Sequence, residues 1–201
     1  MSDKAAATAM PSGEFDFPGA TDLIALVAEA VEEDSPDAIT EKVKNGLCQV
    51  ISSEGFRLPA EFLEAEADHY ARRLVHSDPE GRFSIVAMTW GVGQGTPLHD
   101  HCGLWCVEGV CHGRIRVDQY ALVERDGDRF RFERDEAIPA ETGTAGCLIP
   151  PHEYHRIFND RDDEVAVTLH IYGGDMESCN IFDPEGDGWY RRERRALGFD
   201  A

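Results

Sequence analysis

His99 and His101 stand two residues apart in this sequence of 201 residues. Side chains at i and i+2 of an extended strand share a face, so both imidazoles can reach one ion. A lone pair of this kind is weak evidence for a metal. A second row lies in the segment VAVTLHIYG, residues 165–173. Read with a period of two, Val165, Val167, Leu169 and Ile171 form one apolar face, and Ala166, Thr168, His170 and Tyr172 form the other. An apolar outer face beneath helices would turn Thr168, His170 and Tyr172 inward. Buried polar groups need hydrogen-bond partners, and such a row supplies them in sequence. It reads either as a satisfied core network or as a relay that aims the Tyr172 hydroxyl at the open side of a metal.

The elements that must position these residues have two textures. Residues 21–33 carry apolar positions at helical spacing with Thr21 as N-cap, a second helix covers about 37–51, and Pro59 opens a third. From residue 70 onward short β-branched and aromatic runs alternate with turn residues. Strands are predicted over 70–75, 83–90, 98–110, 114–122, 129–134, 146–149, 155–159 and 165–172. Many short strands after a helical cap predict a β-barrel or sandwich. Residues 1–20 read as a mobile leader before one domain over 21–201: a cap to about 69, a barrel over 70–183 and a tail over 184–201. The basic tail, WYRRERRALGFD, reads as a strand or helix end docked on an acidic body.

Composition narrows the function classes. Hydrophobic residues make up 42%, enough for a packed core, and the net charge of −20 opposes nucleic acid and anionic membrane partners. No apolar run reaches the roughly 20 residues of a membrane span, and no signal-peptide core precedes the fold, so a cytoplasmic location is expected. None of the six cysteines forms a CxxC pair, which disfavours a zinc knuckle. Reduced, most serve as small core residues.

The surroundings of the histidine pair enlarge the pattern. Gly93 precedes His99 by six residues, Gly113 follows Cys106 by seven, and Pro151, His155 and Asn159 come downstream. This arrangement resembles the two motifs of the cupin barrel, where a histidine on a later strand completes the metal site. The resemblance implies a mainly β, jelly-roll barrel with an N-terminal helical cap, and His99, His101 and His155 as ligands. Exposed turn histidines and a core histidine would have to produce the whole pattern by chance. Many cupins carry a glutamate where Cys106 stands. Without it, three neutral imidazoles leave the ion its full charge and open positions, which suits a thiolate and dioxygen at iron(II). Zinc accepts the same ligands with water. His152 reads as an entry-loop residue, His112 as a turn residue, and His69 and His76 as surface residues.

Residues 70–183 further resemble the cysteine dioxygenase family. The carrying features are His99, His101 and Cys106, with the cysteine seven after the first histidine, and His155 thirteen before a Thr168–His170–Tyr172 row. Tyr70, Arg72 and Leu74 match a Tyr-x-Arg-x-Leu segment, and Cys179, Phe182 and Asp183 match Cys-x-x-Phe-Asp. The resemblance implies an Fe(2+) enzyme that adds both atoms of O2 to the sulfur of a small thiol, L-cysteine above all. Arg72, with Tyr70, would bind the substrate carboxylate, and Cys106 and Tyr172 could join in a thioether; Arg73, the next residue on the strand, would point the opposite way, into solvent. Related 3-mercaptopropionate dioxygenases take their arginine from beyond the row, where Gly173–Phe182 here contains none. That acid, mercaptosuccinate, a non-catalytic metal-binding cupin and a zinc or manganese isomerase are the competing readings. Thr168 in place of serine keeps the hydroxyl, while Trp105 and Cys102 are expected to reshape the pocket.

Overall fold

The computed structural model describes residues 15–200. Two helices come first, α1 over Ala20–Ala30 and α2 over Pro36–Ile51. Leu23, Val27 and Ala30 put α1's apolar stripe in the core. Its cap is Gly19, at φ +95°, rather than Thr21. Ser35 caps α2, accepting from the Ala38 N–H at 3.2 Å, and Pro36 occupies the first turn, where it sacrifices no helical hydrogen bond. The third predicted helix shrinks to one 3-10 turn, Ala60–Leu63. Only Phe62 of that turn is buried, and the acidic stretch that follows offers no apolar stripe to hold a longer helix. The predicted leader falls partly outside the described residues. Within them Phe17 is buried, with its ring edge-on to Phe56 and Phe62.

Eleven strands follow: β1 (Ala71–Ser77), β2 (Ser84–Trp90), β3 (Leu98–His99), β4 (Cys106–His112), β5 (Arg114–Asp126) and β6 (Arg129–Glu141), then β7 (Ala145–Leu148), β8 (His155–Asn159), β9 (Ala166–Tyr172), β10 (Ser178–Gly186) and β11 (Trp189–Ala196). One sheet runs β1-β2-β9-β4-β7, and β10-β11-β6-β5-β8-β3 close on themselves. The fold is the mainly β, cupin-type jelly-roll with a helical cap. The strand predicted over 98–110 is broken into β3 and β4. Asp100 accepts from the Cys102 N–H at 2.9 Å, and Cys102 and Gly103 adopt φ +53° and +89°, which turns the chain out of the sheet. The tail is β11, paired along β10, with Arg191 on Glu185 at 2.7 Å. Among the described residues no helix is long and apolar enough to cross a membrane.

The two faces of β9 separate as the period-two reading predicts. Val167, Leu169 and Ile171 pack beneath the helices with Leu23, Val27, Val43 and Leu47. Each such fully buried aliphatic side chain contributes about 1.5–3 kcal/mol. Gly109 on β4 lets α2 sit close, because a Cβ there would lie 2.5 Å from Leu47. Thr168, His170 and Tyr172 turn inward and are buried. The outer face thus anchors the strand, and the inner face is free to hold polar groups.

Candidate functional site

Pairing across strands brings the three histidines together. His99 on β3 lies opposite His155 on β8, and His101 follows in the turn. The ring centroids are 4.2 Å apart for His99 and His155, 5.0 Å for His101 and His155, and 5.4 Å for His99 and His101. One nitrogen from each lies within 4.8 Å of the others. His99 Nδ1 is 3.1 Å from the Pro97 carbonyl, and His155 Nδ1 is 2.6 Å from the Glu153 carbonyl. A carbonyl only accepts, so each Nδ1 carries the proton and each Nε2 presents a lone pair. Loss of hydration, reinforced by His155, pushes His99 down to about 3 and His101 well below its usual range. Both of these rings are therefore neutral at neutral pH, as metal ligation requires.

His101 and His155 are fully buried, and both His101 nitrogens and His155 Nε2 lack a hydrogen-bond partner. Orphaned buried nitrogens of this kind are costly unless something else satisfies them. A cation among the three rings would do so, and the donor set fits one.

The inward row of β9 borders this cluster. Trp90 Nε1 donates to Thr168 Oγ1 at 2.9 Å, and Thr168 Oγ1 lies 2.7 Å from His170 Nε2. The row does not continue to the Tyr172 hydroxyl: the His170 and Tyr172 rings stack, with centroids 6.0 Å apart. His170 Nδ1 instead faces Glu108 Oε1 at 3.2 Å. Tyr172 pairs in register with Cys106 on β4. Burial raises both groups well above their usual ranges, so both are protonated.

Arg72 lies in an adjoining pocket with Tyr70, His99, His170, Tyr172 and Cys179. It is 5% exposed, donates to the Gly198 carbonyl at 2.6 Å and sits 5.0 Å from the Phe199 ring. Among the described residues no carboxylate pairs with its guanidinium. Tyr70 stacks on Trp90 at 4.7 Å. Arg73 points away from this pocket, as strand alternation demands, but it is not solvated. It is 4% exposed and donates to Thr89 and to the Glu64 carbonyl. Trp105 packs with the outer core and Cys102 is exposed, so neither lines the pocket that they were expected to reshape. His152 and His69 are exposed, and His112 faces Glu164.

A family model described as cysteine dioxygenase type I matches residues 20–185. The chain belongs to the cysteine dioxygenase type I family. The cysteine dioxygenase type 1 of Danio rerio is 27% identical over 122 residues, 61% of this chain and 60% of that one. The Rattus norvegicus protein of the same name is 28% identical over 128 residues, 62% of each. The match thus spans about three fifths of these relatives. Among solved structures, a Klebsiella pneumoniae protein with a double-stranded β-helix domain is 15% identical at a TM-score of 0.45, over 62% of this chain and 90% of that one. The cupin domain of Cnp3 from Schizosaccharomyces pombe is 13% identical at a TM-score of 0.43, over 61% and 74%.

One residue of this cysteine dioxygenase family member escaped the sequence reading. Glu108 is 7% exposed, and its Oε1 lies 3.4 Å from His155 Nε2. The signal was available: on a strand Glu108 must share the face of Cys106. Burial works against the Glu108 carboxylate, but His170, whose Nδ1 faces it at 3.2 Å, outweighs burial and holds it well below the usual carboxylate range.

Proposed function

We propose that this chain is an iron(II)-dependent thiol dioxygenase whose preferred substrate is L-cysteine. The convergence of His99, His101 and His155 beside the buried guanidinium of Arg72 carries this reading. The three histidines would hold the iron, which when bound favours the thiolate form of the substrate and activates dioxygen. Both oxygen atoms of O2 pass to the thiolate sulfur, giving the sulfinate, so no external reductant enters the balance. Arg72 receives the substrate carboxylate through paired hydrogen bonds, a geometry that suits a planar guanidinium. A buried cation that pairs with no carboxylate among the described residues is a ready site for that group. Tyr70 borders the same pocket and limits where the carboxylate can lie.

The pocket now encloses about 20 Å³, so admitting an amino acid requires Leu197 and Gly198 to move away from Arg72. Tyr172 places a protonated hydroxyl beside the reacting sulfur, and Cys106 can join its ring in a thioether. Thr168 and His170 hold the wall behind it. The cysteines among the described residues are all free, which fits a reducing cytoplasm.

The test is oxygen uptake by the iron-loaded protein with L-cysteine, cysteamine, 3-mercaptopropionate and mercaptosuccinate. The expected result is fastest uptake with L-cysteine and two labelled oxygen atoms in the product from labelled O2. Uptake with 3-mercaptopropionate alone would transfer the reading to that acid. No uptake with any thiol would leave a metal-binding cupin without this activity.

A further inference from the structure

We propose that Glu108 is a fourth, anionic ligand of the metal held by His99, His101 and His155. The inference rests on the metal reading above and goes beyond it, since that reading has three neutral ligands only.

Three atoms meet around one point inside the barrel without satisfying one another. Glu108 Oε1 lies 3.4 Å from His155 Nε2 and 3.2 Å from His170 Nδ1, and all three atoms are buried without a hydrogen-bond partner. His155 gives its proton to the Glu153 carbonyl through Nδ1, so its Nε2 turns a lone pair toward the carboxylate. Two lone pairs facing each other in a water-free interior repel. A proton between them is a poor remedy, because the Nε2 and Oε1 positions do not meet hydrogen-bond geometry. A cation coordinated by both atoms turns the repulsion into attraction.

A second grouping adjoins the first and shares His101 with it. Glu108, Cys106 and His101 also bring one potential ligand atom each to within 4.8 Å of one another. Glu108 therefore approaches two of the three histidines, His155 and His101. Strand register puts it there: Glu108 lies opposite His170 on β9 and opposite Gly146 on β7. The position is two residues beyond Cys106, so the carboxylate enters the site from deeper in the barrel. A carboxylate ligand lowers the charge of the centre by one. The thiolate then gains less from the cation than at a three-imidazole centre. The remaining coordination space is also smaller, which ties substrate binding to what Glu108 gives up.

The test uses cobalt(II) and zinc(II), so it does not depend on turnover. Chelator competition gives the metal dissociation constant, and visible absorption reports the cobalt ligand set, in the parent, Glu108→Gln, His170→Gln and His155→Ala. Glu108→Gln keeps the shape and removes the charge. The expected result is a loss of affinity larger than the roughly 10- to 100-fold typical of an outer partner, with a changed cobalt band. His170→Gln should leave that band in place. Thermal unfolding without metal checks folding: Glu108→Gln should melt no lower than the parent and gain less on adding zinc. An unchanged cobalt band in Glu108→Gln overturns the inference, as does a band that shifts equally in His170→Gln, since Glu108 would then act through His170. Retention of metal by His155→Ala would instead defeat the underlying three-histidine reading.

Discussion

Two cavities share the barrel interior, and they differ in size and chemistry. The one beside Arg72 encloses about 20 Å³ and is lined by Tyr70, His99, His170 and Tyr172. The other encloses about 160 Å³ between β4, β5, β6 and β7, against Val110, Ile115, Ile138 and Leu148. They have no lining residue in common, and His170 and Glu108, 3.2 Å apart, form the partition. The larger void is mostly apolar and asks for no ligand. The smaller one holds a guanidinium that pairs with no carboxylate among the described residues, and it adjoins orphaned imidazole nitrogens. Buried polar groups that the protein does not satisfy by itself, rather than empty volume, therefore mark the candidate site.

The strongest test of this contrast removes a group from the polar side. His155→Ala should lose most bound iron and at least about a thousandfold in activity, because three ligands are already few. Metal analysis and oxygen uptake measure both, and full iron occupancy would sink the assignment of His155. Next, Arg72→Ala should raise the Michaelis constant for L-cysteine by about 10- to 1000-fold, from the roughly 2–4 kcal/mol of a desolvated charge pair. Cysteamine, which lacks the carboxylate, should change little. Equal losses for both thiols would mean that Arg72 acts on the fold instead.

A smaller effect is expected at the crosslink pair. Cys106→Ser should slow turnover by less than about tenfold, since the thioether orients Tyr172 without taking part in the proton transfers that such a hydroxyl provides. Intact-mass spectrometry after turnover should show the parent, but not Cys106→Ser, lighter by the hydrogens lost on forming the bond. The smallest effect belongs to the apolar cavity. A Cβ at Gly146, which lines it, would meet nothing within 4 Å. Gly146→Ala should stabilise the protein by about 0.4–1 kcal/mol in denaturant titrations, with kcat and KM unchanged. A change in kcat there would show that the larger cavity takes part in the chemistry.

Much of the site was legible because it is encoded at short range. The alternation along β9 predicts the inward row, and it requires only that one face be apolar. The spacing of His99 and His101 predicts two rings toward one point, although the strand thought to carry both ends at His99. Helical spacing located α1 and α2, while the acidic run after Phe62 defeated the third helix. Arg73 was misread because solvent exposure depends on what packs over a strand, here Thr89 and the Glu64 carbonyl.

By itself the sequence determined the residue types, the strand faces and the two-residue spacing that brings the His99 and His101 imidazoles within reach of one another. Those are local properties, set by a two-residue repeat and by turn residues. Only the tertiary structure decided which strands became neighbours. Pairing of β4 with β9 set Glu108 against His170, pairing of β3 with β8 set His99 against His155, and the return of the chain after β11 laid Gly198 and Phe199 over Arg72. Register between distant segments depends on the whole core closing at once, so the approach of Glu108 to His155 and His170 emerged only from the fold, although the strand face it occupies follows from its spacing to Cys106.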